Sequence, residues 1–376
     1  MNVLYLTNNA QLAGTTRILL SWLKFGREQH IGGCVVVPAK GALSNRLETL
    51  GTPWTTNAMP WPSGRIPLQA LRQAWHVSRW ARRHDVELVH CNEHDTYPFG
   101  VLVAALMRVP VVCHVRFSVD RQFCEWAFGG WRRPGALLWT TNQQRLDCVD
   151  AIGGVVPDER QHVIRLGPDR EVFSAKPADR LAFRRQFDIR DDELAIGTAT
   201  ALRPIKRIED FVTLIEALAE RHPNVVGLIA GGAVAGDEAY RELIEQRISK
   251  SGLGRRLRWL GHLDQVEPLM GSLDIFVSTS EYETFGNSVC EAMACGLPTV
   301  GYVGGSIHEV IGDAGIVVAN GDVQTLITSV DSLVTDEASR RRLGAQGQKR
   351  VETEFNPAVS FRALRAIYER LIAGAR

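Results

Sequence analysis

Residues 275–302 read IFVSTSEYETFGNSVCEAMACGLPTVGY, and the punctuation of that stretch points to a fold class. A short β-rich run, IFVSTS (275–280), gives way to a polar loop with Glu281 and Glu283, and a helical pattern starts near Phe285–Ser288. Gly296 and Pro298 end it, as a glycine just past a helix followed by a proline usually does. A second β-rich run, PTVGY (298–302), follows at once. Such alternation argues for a parallel sheet covered by helices.

The same rhythm extends in both directions. Upstream lie LAIGTATAL (194–202), VVGLIAG (225–231) and LRWLG (257–261), and downstream GIVVA (315–319). The first half carries NVLYLT (2–7), GCVVVP (33–38), LVHC (88–91) and VVCHV (111–115). Each run is short, apolar and bounded by Gly, Pro or Asp, the pattern of strands buried on both faces. Between them, Ile18, Leu19, Trp22 and Leu23 share one helical face, and residues 68–84 are helical. A polar, proline-containing stretch, PDREVFSAKPADR (168–180), separates the two series. The fold class is therefore α/β, two tandem Rossmann-like doubly wound domains, over 1–170 and 171–356. A last helix in 357–376 presents Val359, Phe361, Leu364, Ile367, Tyr368 and Leu371 at helical spacing.

At 376 residues the chain is long enough for two cores, and 45% hydrophobic with 23% charged residues is ordinary globular composition. The net charge of +1 is unevenly spread: residues 1–170 carry 19 Lys and Arg against 13 Asp and Glu, residues 171–376 carry 24 against 29. Either surface drift or an anionic partner for the first half accounts for that. The seven cysteines show no CxxC pair and no metal-ligand spacing, which fits a reducing compartment. MNVLYLTNN reads as a buried strand rather than a signal peptide, and no apolar run reaches the roughly 18 residues that span a bilayer. A cytoplasmic protein is expected, with no nucleic-acid partner. The first βα turn, TNNAQLAG (7–14), has one glycine where a dinucleotide fingerprint needs three, which disfavours an NAD-linked dehydrogenase.

A loop-to-helix turn at the C-terminal edge of a parallel strand is where such folds bind ligands. The N-terminus of the helix starting near Phe285–Asn287 suits a phosphate or diphosphate, and Gly286 allows close backbone approach. Glu283 and Glu291 stand eight residues apart around it. Carboxylates beside phosphate repel, so both are better placed as acceptors for sugar hydroxyls, Glu283 for the transferred sugar and Glu291 for the ribose. Locally, S-x-x-E from Ser288 to Glu291 would also fit a capping box, and Glu283 a solvated loop acid.

The segment ETFGNSVCEAMACGLPTVGYVGGSIHEVI (283–311) resembles the signature of family 4 retaining glycosyltransferases, Glu-x7-Glu followed by A-M-A-C-G-L-P, a Gly-Gly pair and a Glu. Glu283 and Glu291 match its two acids, and Gly304, Gly305 and Glu309 its tail. LAGTTRILLSWL (12–23), RLGPDREVF (165–173), TALRPIKRIEDFVTLIEAL (200–218) and LGAQGQKRVETEF (343–355) resemble further segments in the expected order, though the family usually has Gly-Gly where Ala13 and Gly14 stand. The resemblance implies the two-domain glycosyltransferase-B architecture. Residues 1–170 would bind acceptor and 171–356 the nucleotide-sugar donor, with the last helix crossing back to the first domain.

It also implies roles. Gly14, Lys206, Phe285, Gly286, Asn287 and Glu291 would bind donor, and Arg203 would stand in for an arginine the family places where Thr200 or Ala201 lies here. The family's first-domain histidine follows a P-V-V strand. In PVVCHVRF (110–117) that leaves His114, expected as catalytic alongside Glu283, or Arg116, on the same strand face and able to contact acceptor or sugar. His114 could equally be a buried strand residue. Retaining glycosidases use a close carboxylate pair, but in this family leaving and attacking groups are thought to share one face of an oxocarbenium-like centre, the donor phosphate taking the acceptor proton. Neither metal nor cofactor is then expected beyond a UDP- or GDP-linked donor, and a glycan or lipid-linked acceptor completes the reaction. The competing readings are a nucleotide-sugar epimerase or hydrolase on the same fold, and a catalytically silent glycan- or partner-binding member.

Eight of the nine tryptophans lie in the first half, and 68–84 and FCEWAFGGWRRPG (123–135) mix Trp with Arg. Such segments read either as a surface for anionic lipid, giving peripheral attachment at the inner membrane face, or as core aromatics beside a solvated basic face.

Overall fold

The structure is a computed structural model and describes all residues except 63–66, 166, 170, 175–176, 234–235 and 376. Arg170 at the expected domain boundary, Leu166 beside it, and residues 175–176 of the proline-containing stretch lie outside the described residues. The chain divides into two compact units, Met1–Leu166 with Pro357–Arg376, and Gly167–Asn356.

The sheet of the first unit is parallel and seven-stranded: β1 (Asn2–Leu6), β2 (Gly32–Val37), β3 (Trp54–Thr56), β4 (Leu88–Cys91), β5 (Val111–His114), β6 (Ala136–Trp139) and β7 (Gln161–Val163), in the order β3-β2-β1-β4-β5-β6-β7. Strand alternation sorts its two faces. Leu4, Leu6, Val89, Cys91, Cys113, Leu137 and Trp139 join one buried cluster, whereas Tyr5, His90 and His114 belong to the opposite alternation. On that opposite side the helix Gly14–Glu28 brings Trp22, and the last helix, Pro357–Ala375, brings Phe361, Leu364 and Tyr368, all buried. The Tyr368 hydroxyl bonds His90 Nδ1, and Ser360 Oγ donates to the Arg165 carbonyl, so the chain's last element completes the first unit.

The second unit holds β8 (Leu194–Ala199), β9 (Val225–Ala230), β10 (Leu257–Trp259), β11 (Ile275–Ser278), β12 (Thr299–Tyr302) and β13 (Ile316–Val318), all parallel in the order β10-β9-β8-β11-β12-β13. Its core packs Ile196, Ile229, Ile275, Val277, Val300 and Tyr302 against Phe211, Val212 and Ile215 of the helix Ile208–Arg221. In each sheet the winding direction reverses beside the first strand, between β1 and β4 and between β8 and β11. Those are the crevices where doubly wound folds take ligands.

Three strands go beyond the ten runs read from sequence. β3 (WTT) and β7 (QHV) are three-residue edge strands, paired on one side only and too polar to stand out. β6 (ALLW) is fully buried, but four apolar residues carry too little periodicity to separate strand from helix. All seven cysteines are buried free thiols.

Candidate active site

In the second unit the site is assembled where β8 and β11 end. After β8 the chain turns through a 3-10 segment, Pro204–Lys206, and Arg207 adopts a left-handed φ of 46° before the helix Ile208–Arg221. After β11 the loop 279–286 leads into the helix Asn287–Ala294. The two loops are tied together: the Glu281 amide donates to the Ile205 carbonyl (2.8 Å) and Thr279 Oγ1 to the Lys206 carbonyl (2.8 Å). Lys206 Nζ and Glu283 Oε1 then form an ion pair of 2.6 Å, and the same oxygen accepts from Ser280 Oγ at 2.8 Å. Both side chains are largely shielded, 15% and 19% exposed, so the pair is screened less than a surface pair. Lys206 and Glu283, 77 residues apart in sequence, are thus one structural unit.

The backbone of Glu283 is fixed as well. It bridges Gly305 in a parallel pairing, and the Ser306 amide donates to its carbonyl at 2.8 Å. Gly305 sits at φ 59°, and a β-carbon there would stand 2.2 Å from the Glu283 carbonyl oxygen. That is the physical reason for the glycine at the second position of the Gly-Gly motif. Ser306 Oγ donates to the Thr284 carbonyl at 2.9 Å, a third clamp on the loop.

Gly286 is the N-cap of the helix Asn287–Ala294, at φ 89°, where a β-carbon would meet Ile307 Cδ1 at 2.7 Å. No side chain caps this end and its first turn holds no acid, so the helix presents amide donors and the positive end of its dipole. The capping-box alternative for Glu291 fails, because Ser288 lies inside the helix as its second residue. Glu291 is half-buried, one turn after Asn287. Phe285 is buried with its ring edge-on to Phe355 (centroids 5.6 Å), so the ring is packing and its backbone alone is available to a ligand. Arg203 is half exposed and donates from Nε to Asp237 Oδ2 at 3.1 Å, an exposed ion pair of small energetic weight.

In the first unit the corresponding edge is formed by the residues that follow β1, β4 and β5. Gly14 is the first residue of the helix Gly14–Glu28, whose N-terminal turn contains no acid. Beside it stands a buried polar network. Glu93 accepts from Thr7 Oγ1 (3.1 Å), the Asn8 amide (3.3 Å) and Asn92 Nδ2 (2.5 Å). Arg116, buried, donates from Nε to the Asn92 carbonyl (2.9 Å) and from Nη2 to Asn92 Oδ1 (3.0 Å), with its guanidinium 5.4 Å from the Trp22 ring. Burial raises the Glu93 carboxyl above its usual range, and the charge of Arg116 opposes that shift. The sequence reading missed Glu93, His94 and Asp95; the signal was CNEHDT, a polar burst directly after the buried strand LVHC.

His114 is placed differently from Arg116. It is fully buried, stacked on Trp22 (5.5 Å, 23°) and on His90 (6.0 Å, 17°), and neither ring nitrogen has a partner among the described residues. Burial holds its pKa well below the ordinary histidine value, so the ring is neutral near pH 7. Its place in the covered layer favours the packing alternative, while Arg116 lies with the polar network at the strand ends. Among the described residues no three His, Cys, Asp or Glu side chains come together as a metal site.

Two doubly wound units, each with a ligand-ready crevice and one with a lysine and a helix N-terminus suited to phosphate, define the glycosyltransferase-B class of fold. A family model for the glycosyl transferases group 1 matches residues 179–350, and one for a glycosyl transferase 4-like domain matches residues 14–177. The chain belongs to the group 1 glycosyltransferases. It is 23% identical over 341 residues to the lipopolysaccharide core biosynthesis mannosyltransferase LpsB of Rhizobium meliloti, covering 90% of this chain and 92% of that one. With the MMP alpha-(1->4)-mannosyltransferase of Mycolicibacterium hassiacum it shares 26% over 360 residues, 89% of this chain and 81% of that one. The crystal structure of Anabaena HepE in complex with UDP and glucose superposes with a TM-score of 0.85 at 22% identity, over 99% of this chain and 100% of that one.

Proposed function

We propose that this chain moves a hexose from a UDP- or GDP-linked donor to a glycan or lipid-linked acceptor, with retention at the anomeric carbon and without a metal. The observation that carries the donor half is the Lys206–Glu283 pair beside the uncapped helix N-terminus at Gly286–Asn287. The ammonium and helix amides neutralise a departing diphosphate, and the carboxylate accepts hydrogen bonds from sugar hydroxyls. The names of the mannosyltransferase relatives and the UDP and glucose in HepE support the same reading. In the reaction the bond from the anomeric carbon to the diphosphate oxygen breaks. The bond to the acceptor oxygen forms on the same face, and the acceptor proton passes to the departing diphosphate. Glu291 would reach the ribose, and Gly14, at a helix N-terminus whose first turn holds no acid, is a further candidate for donor binding. Arg116, rather than His114, is the first-unit cation at the strand ends, so Arg116→Lys should lower turnover by an order of magnitude or more while His114→Phe stays within about threefold. The reverse result in steady-state kinetics would reinstate His114.

The experiment that tests the whole reading is incubation with labelled UDP- and GDP-hexoses. Transfer is expected; isomerisation, or release without transfer, would point to an epimerase or hydrolase. Activity is expected to persist in EDTA, because Lys206 and the helix N-terminus already supply positive charge at the leaving group. Chelation that abolishes transfer, with recovery on adding Mg or Mn, would overturn that account.

A membrane partner is also proposed. On the helix Pro67–Arg82, Ala70, Ala74, Val77 and Ala81 are buried, whereas Leu68, Leu71 and Trp75 form an exposed stripe, with Arg79 4.9 Å from the Trp75 ring. No described helix is long and apolar enough to cross a membrane. An exposed apolar stripe beside Arg72 and Arg79 fits anionic lipid, with about 1 kcal/mol per basic residue near the surface. The protein should float with phosphatidylglycerol vesicles at low salt and release as salt rises, and Trp75→Ala should weaken flotation. Salt-independent absence of binding would return the stripe to ordinary surface.

A further inference from the structure

We propose that Arg207, Asp210 and Tyr302 form a positioning network that aims the Lys206 ammonium by fixing the backbone turn on which it stands. What Lys206 then does to a donor rests on the glycosyltransferase reading; how it is held does not.

Lys206 ends the 3-10 segment, and the next residue, Arg207, is the N-cap of the helix Ile208–Arg221, with φ 46° and ψ 48°. A long side chain in the left-handed region is uncommon, and it persists where its surroundings over-determine it. Side chains supply that constraint here. Arg207 Nε donates to Asp210 Oδ2 at 2.8 Å, and the Tyr302 hydroxyl donates to the same oxygen at 2.9 Å. Asp210 is buried, and Tyr302 is fully buried at the end of β12, in the cluster that holds Phe211 and Val212. The guanidinium also lies along the turn after β13, where a β-carbon on Gly321 would stand 3.4 Å from Nη2. Arg207 thus joins the ends of β8, β12 and β13.

The dihedrals at 207 set the angle between the lysine's turn and the helix behind it, so holding Arg207 holds Lys206. A second branch reaches the same turn. Asn320 Nδ2 donates to the Glu281 carbonyl at 3.1 Å, and the Glu281 amide donates to the Ile205 carbonyl at 2.8 Å. Residues 205–207 are therefore gripped both from β11 and from the turn after β13. The 2.6 Å contact of Lys206 with Glu283 needs that registration, because a group displaced by an ångström no longer meets its partner. A carboxylate in a helix's first turn also favours the helix itself, through its dipole. Helix stabilisation needs no tyrosine from the sheet, however, and the Tyr302 hydroxyl ties that first turn to β12.

The test reads the lysine directly. The whole chain is acetylated with a limiting N-hydroxysuccinimide ester, and the rate at Lys206 is followed by peptide mass spectrometry against the exposed Lys40 and Lys349. Relative to those references, Tyr302→Phe and Arg207→Gly should each raise the Lys206 rate about threefold or more, as its turn opens more often. Glycine relieves the left-handed backbone, so a rise in Arg207→Gly isolates the lost side-chain tie. Ser272→Ala removes another buried hydroxyl bond of the second unit, to the Leu269 carbonyl, and should leave the rate unchanged. In transfer kinetics Tyr302→Phe should lower kcat about fivefold, and should add no loss to Lys206→Ala. Native reactivity in both network variants overturns the proposal, whether or not their melting temperatures fall. So does an equal rise in Ser272→Ala, or a kinetic loss from Tyr302→Phe that persists undiminished in Lys206→Ala. Raised reactivity in both network variants, beside a Lys206→Ala protein of native turnover, would uphold the network and remove the donor role of Lys206.

Discussion

Replacing Lys206 with alanine lowers kcat/KM for sugar transfer by about 10²–10³-fold, equivalent to roughly 3–4 kcal/mol of transition-state stabilisation. Two losses combine in that figure. The ammonium no longer meets the charge that develops on the departing diphosphate. In addition, Glu283, from which Lys206 stands 2.6 Å away, is left as a shielded, uncompensated carboxylate close to that charge. Glu283→Gln removes the second problem but weakens the acceptor for sugar hydroxyls, so alone it should cost about 10–100-fold. Because the two residues form one pair, their effects should not add. The double variant should be less impaired than the product of the singles, with a coupling of about 1 kcal/mol or more. Lys206→Arg keeps the charge but not its shape, and should recover part of the loss. Steady-state kinetics on the four proteins, with UDP affinity measured alongside, completes the cycle. Lys206→Ala within threefold of the native rate would remove Lys206 from leaving-group stabilisation.

The loop-to-helix turn after β11 was legible in the sequence because its geometry is local. A strand, a glycine at the helix cap and two acids eight apart lie within one short segment, and a βα turn leaves them few arrangements. What sequence could not give was the pairing of Lys206 with Glu283, since only the adjacency of β8 and β11 brings their loops together. Thr279, Ser280 and Ser306 were invisible for the same reason: a hydroxyl in a loop announces nothing until its acceptor is placed. The first unit shows the opposite failure. PVVCHVRF allows either residue of one strand face to meet a ligand, and periodicity of two cannot say which is covered. Trp22 and Tyr368, from helices at opposite ends of the chain, cover the layer that holds His90 and His114, a packing no strand pattern foretells. Edge strands such as β3 and β7 escaped because half their surface has no apolar requirement.

That covered layer makes the first unit sensitive to acid. His90 and His114 are fully buried, and desolvation, reinforced by the charge of Arg116, holds both well below the ordinary value of 6.5. His114 also feels His90, and Tyr5, Trp22 and Tyr368 close the layer without offering its imidazole a counter-charge. An imidazolium at 114 would have two N–H donors and no acceptor among the described residues. The fold therefore keeps the rings neutral, while the unfolded chain protonates them near pH 6.5. More protons bind to the unfolded state, so the stability is fully present above about pH 6.5 and is lost as pH falls, by about 1.4 kcal/mol per pH unit for each histidine. Glu93 and Asp95 act in the other direction, since burial raises both carboxyls and their protonation on acidification favours the fold. A difference measurement isolates the histidine. In His114→Phe the stacked ring is kept and the titration removed, so the native protein should lose stability relative to the variant by about 1.4 kcal/mol per pH unit between pH 6 and 5. Urea unfolding followed by tryptophan fluorescence reads this directly, because eight of the nine tryptophans lie at or before Trp139, in the first unit. Parallel stability curves for the two proteins over that interval would mean that the buried histidine accepts a proton in the folded state, and that the stack at Trp22 opens to admit water.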